Sequence, residues 1–137
     1  MATLNRFEEI KAWQKAREVD KKIFQFSSRS DFSKDYDLKS QIRRAGGSVM
    51  DNIAEGFGRG GNREFIQFLG ISKGSANEVK SQLYRVLDRN YITDEEFRIT
   101  YDQISEVIRM TDSLIGYLTQ TEIKGRKFSK TEVKTTL

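Results

Sequence analysis

The sequence predicts an all-α protein: an antiparallel, up-down-up-down four-helix bundle that associates into a homo-oligomer. Three observations carry this reading. Apolar residues recur at three- and four-residue steps in four separate segments, the spacing of one face of an α-helix. The 137 residues include no proline, the residue that helix interiors tolerate least. Hydrophobic residues make up 36% of the chain and charged residues 32%, the balance of narrow helices that each show one apolar stripe and a wide solvated face. A chain of this length fits one domain. Residues 1–121 are assigned to the bundle and 122–137 to a flexible basic tail.

The first helix is marked by Phe7, Ile10, Trp13, Ala16, Val19/Asp20, Ile23 and Phe24, with Asn5 and Glu8 able to cap its start. Ser27 to Asp31 clusters residues that bond local backbone and so favour a turn. Phe32 and Tyr36 in this connection are expected to fold back on the core rim. The second helix carries Leu38, Ile42, Ala45/Gly46, Val49 and Ile53. Beside that stripe run Arg44, Ser48, Asn52 and Glu55, spaced by four, four and three and hence on one flank. The flank either holds register against a neighbouring helix or subunit, or forms a ligand or catalytic site. Arg44 and Glu55 stand ~16 Å apart along one helix, so their partners lie elsewhere.

Gly56, Gly58, Gly60 and Gly61 then supply the positive-φ conformations that end a helix and reverse the chain, and Asn62 is placed to cap the third helix. A phosphate loop is excluded, because neither a Gly-Lys-Ser/Thr ending nor a preceding strand is present. The third helix is the longest pattern: Phe65, Phe68, Leu69, Ser72, Ala76, Val79, Leu83, Val86 and Leu87. Gly70, Ser72, Gly74, Ser75 and Ala76 at its middle predict a close helix approach, which offsets the ~1 kcal/mol that each helical glycine costs. Ser75, Glu78 and Gln82 form a polar flank able to meet Ser48, Asn52 and Glu55. After Asn90-Tyr91-Ile92, Thr93 and Glu96 form a capping box. The fourth helix runs through Phe97, Tyr101, Ile104, Ile108, Thr111, Ile115 and Leu118, nearly a heptad seam. Periodicity is lost beyond Gln120.

Composition removes much chemistry. Without cysteine there are no disulfides, thiolates or cysteine metal sites, and without histidine there is no ordinary neutral-pH proton shuttle. No calcium-loop pattern occurs, so no metal or cofactor is expected. Glu8 and Glu9 stand where a secretory signal needs an apolar run, and no stretch of ~18 apolar residues exists, so a cytoplasmic protein without membrane contact is expected. The net charge is +4. The tail from Glu122 holds five basic and two acidic residues, or +3, which leaves +1 for residues 1–121. Apolar residues off the main stripes, Ile66, Ile71, Tyr84 and Met110, exceed what one small bundle hides and point to self-association. A pair of long hairpins completed by a second chain would use the same stripes.

Several segments resemble a known family. Gln41-Ile42-Arg43-Arg44-Ala45, Ser48, Asn52-Ile53-Ala54-Glu55-Gly56-Phe57-Gly58-Arg59, Glu64-Phe65-Ile66-Gln67-Phe68-Leu69 and Lys73-Gly74-Ser75-Ala76-Asn77-Glu78-Val79, with Trp13-Gln14-Lys15-Ala16 near the start, resemble the bacterial 23S rRNA-intervening-sequence (S23) proteins. The match spans about residues 7–120. Gly46, Gly47 and Met50 depart from the family's usual alanine, small aliphatic and proline residues. The resemblance implies a four-helix bundle in a cyclic pentamer, no enzymatic activity, and kinship with the accessory protein of diversity-generating retroelements, which binds a reverse transcriptase and nucleic acid.

The expected function is that of a non-enzymatic, oligomeric accessory protein binding structured RNA or DNA. Its candidate phosphate contacts are Arg43 and Arg44 on the second helix, Arg59 and Arg63 at the turn, Lys73 and Lys80 on the third helix, and the tail lysines. Arg59 and Arg63 are expected to be the part of the glycine turn exposed enough to meet a partner. The alternative is a protein-interaction scaffold that recruits a reverse transcriptase or a ribosome component. An enzyme would have to use Glu55 and Glu78 as a carboxylate pair.

Overall fold

The computed structural model describes residues 4–128, with side chains described through Ile123. Among them are four α-helices and no strand: α1 (Lys11–Ser27), α2 (Tyr36–Gly58), α3 (Asn62–Asp88) and α4 (Asp94–Phe128). Short 3-10 turns lie at Phe7–Glu9 and Phe32–Lys34. α1 packs on α2 and α4, and α3 packs on α2 and α4, so one chain encloses its own core without a second copy.

α1 starts later than its apolar pattern. Phe7–Glu9 is a 3-10 turn, and Glu9 rather than Glu8 accepts the Asn5 backbone N–H, at 2.9 Å. The helix buries Ala12, Ala16, Val19, Ile23 and Phe26. Phe24 is not among them: it is 58% exposed. Ile23 and Phe24 are about 100° apart on a helix, so the face that turns Ile23 inward turns its neighbour outward. In the connection to α2, Phe32 is buried and stacks on Tyr91 at 4.8 Å. Tyr36 does not fold back on the core; it is 73% exposed as the first residue of α2.

α2 buries Leu38, Ile42, Ala45, Gly46, Val49 and Ile53 as the pattern predicts, but continues through Gly58. Gly56 therefore lies inside the helix. Its role is close approach: a Cβ there would stand 2.6 Å from Phe68 Cβ. Of the four turn glycines only Gly60 has positive φ, at 87°. Gly61 caps α3, and Asn62 is the buried first residue of that helix, its Nδ2 donating to the Leu118 carbonyl at 3.5 Å.

α3 buries Phe65, Leu69, Ser72, Ala76, Val79, Leu83 and Val86, while Phe68 and Leu87 are half-buried. Ser72 Oγ donates to the Val49 carbonyl at 2.7 Å, tying α3 to α2. Gly70 and Gly74 do not serve that approach, since a Cβ at either would meet nothing within 4 Å. Just past the end of α3 stands Asn90, whose φ of 61° is one that asparagine tolerates. Tyr91 N–H then bonds the Val86 carbonyl and Asn90 N–H the Leu87 carbonyl, a Schellman ending.

α4 opens on the expected box: Thr93 Oγ1 accepts the Glu96 N–H at 3.1 Å and Glu96 Oε1 accepts the Thr93 N–H at 2.9 Å. Its buried seam is Thr100, Ile104, Val107, Thr111, Leu114, Leu118 and Glu122. The helix is thus rotated from the expected seam, with Val107 and Leu114 inside and Ile108 and Ile115 half-buried. Helix and seam also continue past residue 121, because Glu122 lies one turn beyond Leu118 and only 4% of it is exposed. Of the flexible tail expected for 122–137, residues 129–137 lie outside the described residues.

The apolar interior divides into two clusters. One joins Ile23, Leu38, Ile42, Val79, Leu83 and Ile104; the other joins Ile10, Ile53, Phe65, Leu69, Leu114 and Leu118.

Candidate nucleic-acid interface

The six cations expected to touch phosphate differ in how the fold already uses them. Arg59 pairs with Glu55 on its own helix at 3.1 Å and lies over Phe68. Arg63 stands 3.8 Å from the buried Glu122 carboxylate. Lys73 pairs with Asp112 on α4. Lys80 rests over the Tyr101 ring at 4.7 Å. Three of the six therefore have their charge offset by a carboxylate, and the pair at the glycine turn, Arg59 and Arg63, is among them.

Arg43 and Arg44 differ from these. Arg44 Nη1 donates to Ser40 Oγ at 2.8 Å, and no carboxylate pairs with it among the described residues. Arg43 Nε donates to Ser27 Oγ at 2.7 Å, and its Nη2 to Ser28 Oγ at 3.1 Å. The guanidinium lies over the Phe24 ring, 4.4 Å from its centre. Hydroxyls orient this cation without neutralising it, and the ring leaves its charge intact. Tyr36, Lys39, Arg43 and Gly47 succeed one another at three- and four-residue steps along one face of α2, and Lys21 lies one turn before Phe24 on α1. The α1–α2 face thus gathers Lys21, Lys39 and Arg43 around Phe24 and Tyr36, and none of the three cations is ion-paired among the described residues. It ends at Asp20 and Asp51, where partial burial and the Asp51 charge raise the Asp20 pKa above its ordinary value.

The polar flanks meet only in part. Ser48 and Ser75 hydrogen-bond at 2.8 Å, and Asn52 Nδ2 donates to Ser48 Oγ at 2.9 Å. Glu55 and Glu78 are both exposed, and Gln82 Oε1 is buried with no protein partner among the described residues. Ser48, Asn52 and Ser75 hold α2 against α3, as a register device does, and the two glutamates stand outside that contact. No group of three or more metal-ligating side chains occurs among the described residues.

Residues 8–113 match the 23S rRNA-intervening sequence protein family, more than half of the chain. The chain belongs to that family. An S23-type fold is also seen in a crystal structure, at 1.70 Å resolution, of a protein of unknown function from the S23 ribosomal protein family of Bacteroides thetaiotaomicron VPI-5482. The two are 26% identical with a TM-score of 0.69, over 76% of this chain and 97% of that one. No curated protein matches the chain. Phe24, Tyr36, Lys21 and Lys39 belong to the cationic α1–α2 face and are absent from the candidate contacts expected from the sequence. The signal for Phe24 was partial: it stands about 100° around the helix from Ile23, which the core takes.

Proposed function

We propose that this family member is a non-enzymatic, cytoplasmic nucleic-acid-binding accessory protein, built as an antiparallel four-helix bundle and assembled into a homo-oligomer. The single observation that carries the binding reading is Arg43, a cation held by two serine hydroxyls over an exposed aromatic ring and flanked by further cations without carboxylate partners. Such a face neutralises phosphate with little loss of internal ion pairing. The family's description as a 23S rRNA-intervening sequence protein makes structured rRNA the first ligand to try. The antiparallel arrangement is supported by contacts in which Gln41 meets Arg85, Ser48 meets Ser75 and Gly56 meets Phe68.

Filter binding to structured rRNA fragments at low and moderate salt tests this. Affinity is expected to fall steeply with salt. Arg44→Glu and Lys39→Glu are expected to weaken binding, each lowering the salt slope by about one, while Arg59→Glu and Arg63→Glu act less because those cations already have carboxylate partners. Affinity indifferent to salt and to all four changes would remove the reading.

A scaffold role, recruiting a reverse transcriptase or a ribosome component, is favoured by Ile71, 52% exposed beside the open Gly70 and Gly74 positions. Recovery of one defined partner after nuclease treatment supports it.

A further inference from the structure

We infer that the α1–α2 face is a single-strand site, in which an unpaired base stacks on Phe24 while neighbouring phosphates lie on Arg43, Lys39 and Lys21. The inference rests on the nucleic-acid reading above and specifies which form of nucleic acid this face takes.

The argument begins with Phe24. A phenylalanine that is 58% exposed contributes little to the core, and Arg43 covers one face of its ring. That pairing makes a flat, cationic platform, and every nucleobase has a π face that such a platform accepts, whatever its sequence. A duplex keeps those faces inside its own stack, whereas an unpaired strand presents them. Tyr36, 73% exposed, is a second ring on the same face of α2, seven residues and about 10 Å from Arg43. Two protruding rings obstruct a rigid double helix and can insert between the bases of a flexible strand.

The cations fit the same occupant. Two of the five N–H groups of Arg43 are used by Ser27 and Ser28, which fix the plane of the guanidinium and leave the others for phosphate oxygens. Lys39 lies one turn along α2 from Arg43, between it and Tyr36, and Lys21 lies beside Phe24 on α1. Gly47, one turn beyond Arg43, adds no side chain, and a Cβ there would meet only Asp51 Oδ2, at 4.0 Å. The strand therefore has room beside the guanidinium. Asp20 and Asp51 bound the track and repel phosphate beyond it, so the strand runs toward Tyr36.

The test is fluorescence anisotropy with the full chain, comparing a labelled oligouridine with a blunt RNA duplex carrying the same number of phosphates. The single strand is expected to bind more tightly. Phe24→Ala is expected to lower single-strand affinity about tenfold and to leave duplex affinity unchanged, while Phe24→Tyr retains the wild-type value. Lys39→Ala weakens both ligands. Phe24 is exposed, so its variants keep the wild-type thermal unfolding midpoint, which is measured alongside. Equal affinity for the two ligands, or a Phe24→Ala protein that binds oligouridine as the wild type does, overturns the single-strand site and leaves nucleic-acid binding in place. Binding of neither ligand at low salt overturns both.

Discussion

At the scale of single residues, Arg29, just past the end of α1, and Glu96, at the start of α4, form an ion pair that joins the two helices. Two hydrogen bonds of 3.0 and 2.6 Å join them, and Glu96 also accepts the Thr93 N–H. The Arg29 guanidinium first, and that backbone N–H second, hold the Glu96 carboxyl down from the ordinary 4.5 to about 2. A depressed carboxyl stabilises the fold fully above its unfolded pKa, and the contribution disappears as pH falls through the folded one. Thermal unfolding of Arg29→Met is therefore expected at a lower temperature than wild type near neutrality. The gap should close between about pH 4.5 and about pH 2, and a gap that persists at pH 2 would show that the pair is not its source. Asp35 obeys the same logic: Arg89 and Tyr91 bond its carboxylate at 2.7 and 2.9 Å and lower its pKa. The capping box was legible because Thr93 and Glu96 are three residues apart. Arg29 was not, because its partner is 67 positions away and only packing brings the two ends together.

At the scale of elements, glycines that look alike in sequence do opposite things. Gly56 lies in the α2–α3 contact, where an added Cβ would press on Phe68 Cβ and Phe65 Cδ1. A Cβ atom next to the backbone cannot swing away, so Gly56→Ala forces the helices apart. The expected cost is roughly 1–2 kcal/mol, overpacking exceeding the gain in helix propensity. Gly74 faces open space within the chain, and Gly74→Ala is expected to stabilise the protomer by about 0.5–1 kcal/mol. Urea unfolding of the two variants decides this, and a stabilised Gly56→Ala protein would contradict the close approach. The same contrast shows how far periodicity reads. It placed the stripe of α2 and most of that of α3, where Phe68 and Leu87 are only half-buried. In α4, apolar residues occupy two adjacent stripes, and rotating the helix by one position exchanges Ile108 and Ile115 for Val107 and Leu114. Only the neighbouring helices choose between those rotations.

At the scale of the whole molecule, one chain closes two apolar clusters and still leaves Ile71, Tyr84, Ile99 and Tyr117 exposed. The open edge at Gly70, Ile71 and Gly74 is on α3 and the cationic face is on α1 and α2, so the proposed self-association and the proposed nucleic-acid binding draw on different elements. Size-exclusion chromatography with light scattering is expected to give a homo-oligomer at micromolar concentration, and a monomer would remove that reading. No helix among the described residues is long and apolar enough to cross a membrane.

Sequence alone determined the helical class, the four helices of the described residues, the main stripes of α2 and α3 and the family, because these depend on local periodicity and on a contiguous motif. Tertiary structure decided which cations remain available. Charge is additive along a chain, whereas ion pairing depends on which side chains from different helices come within 4 Å of each other. Arg63 and Lys73 read as exposed cations in the sequence and are paired with carboxylates of α4 in the fold, whereas the Arg59–Glu55 pair is local, four residues apart. Arg43, indistinguishable from them in one dimension, keeps its charge because its neighbours across α1 are the hydroxyls of Ser27 and Ser28 and the ring of Phe24.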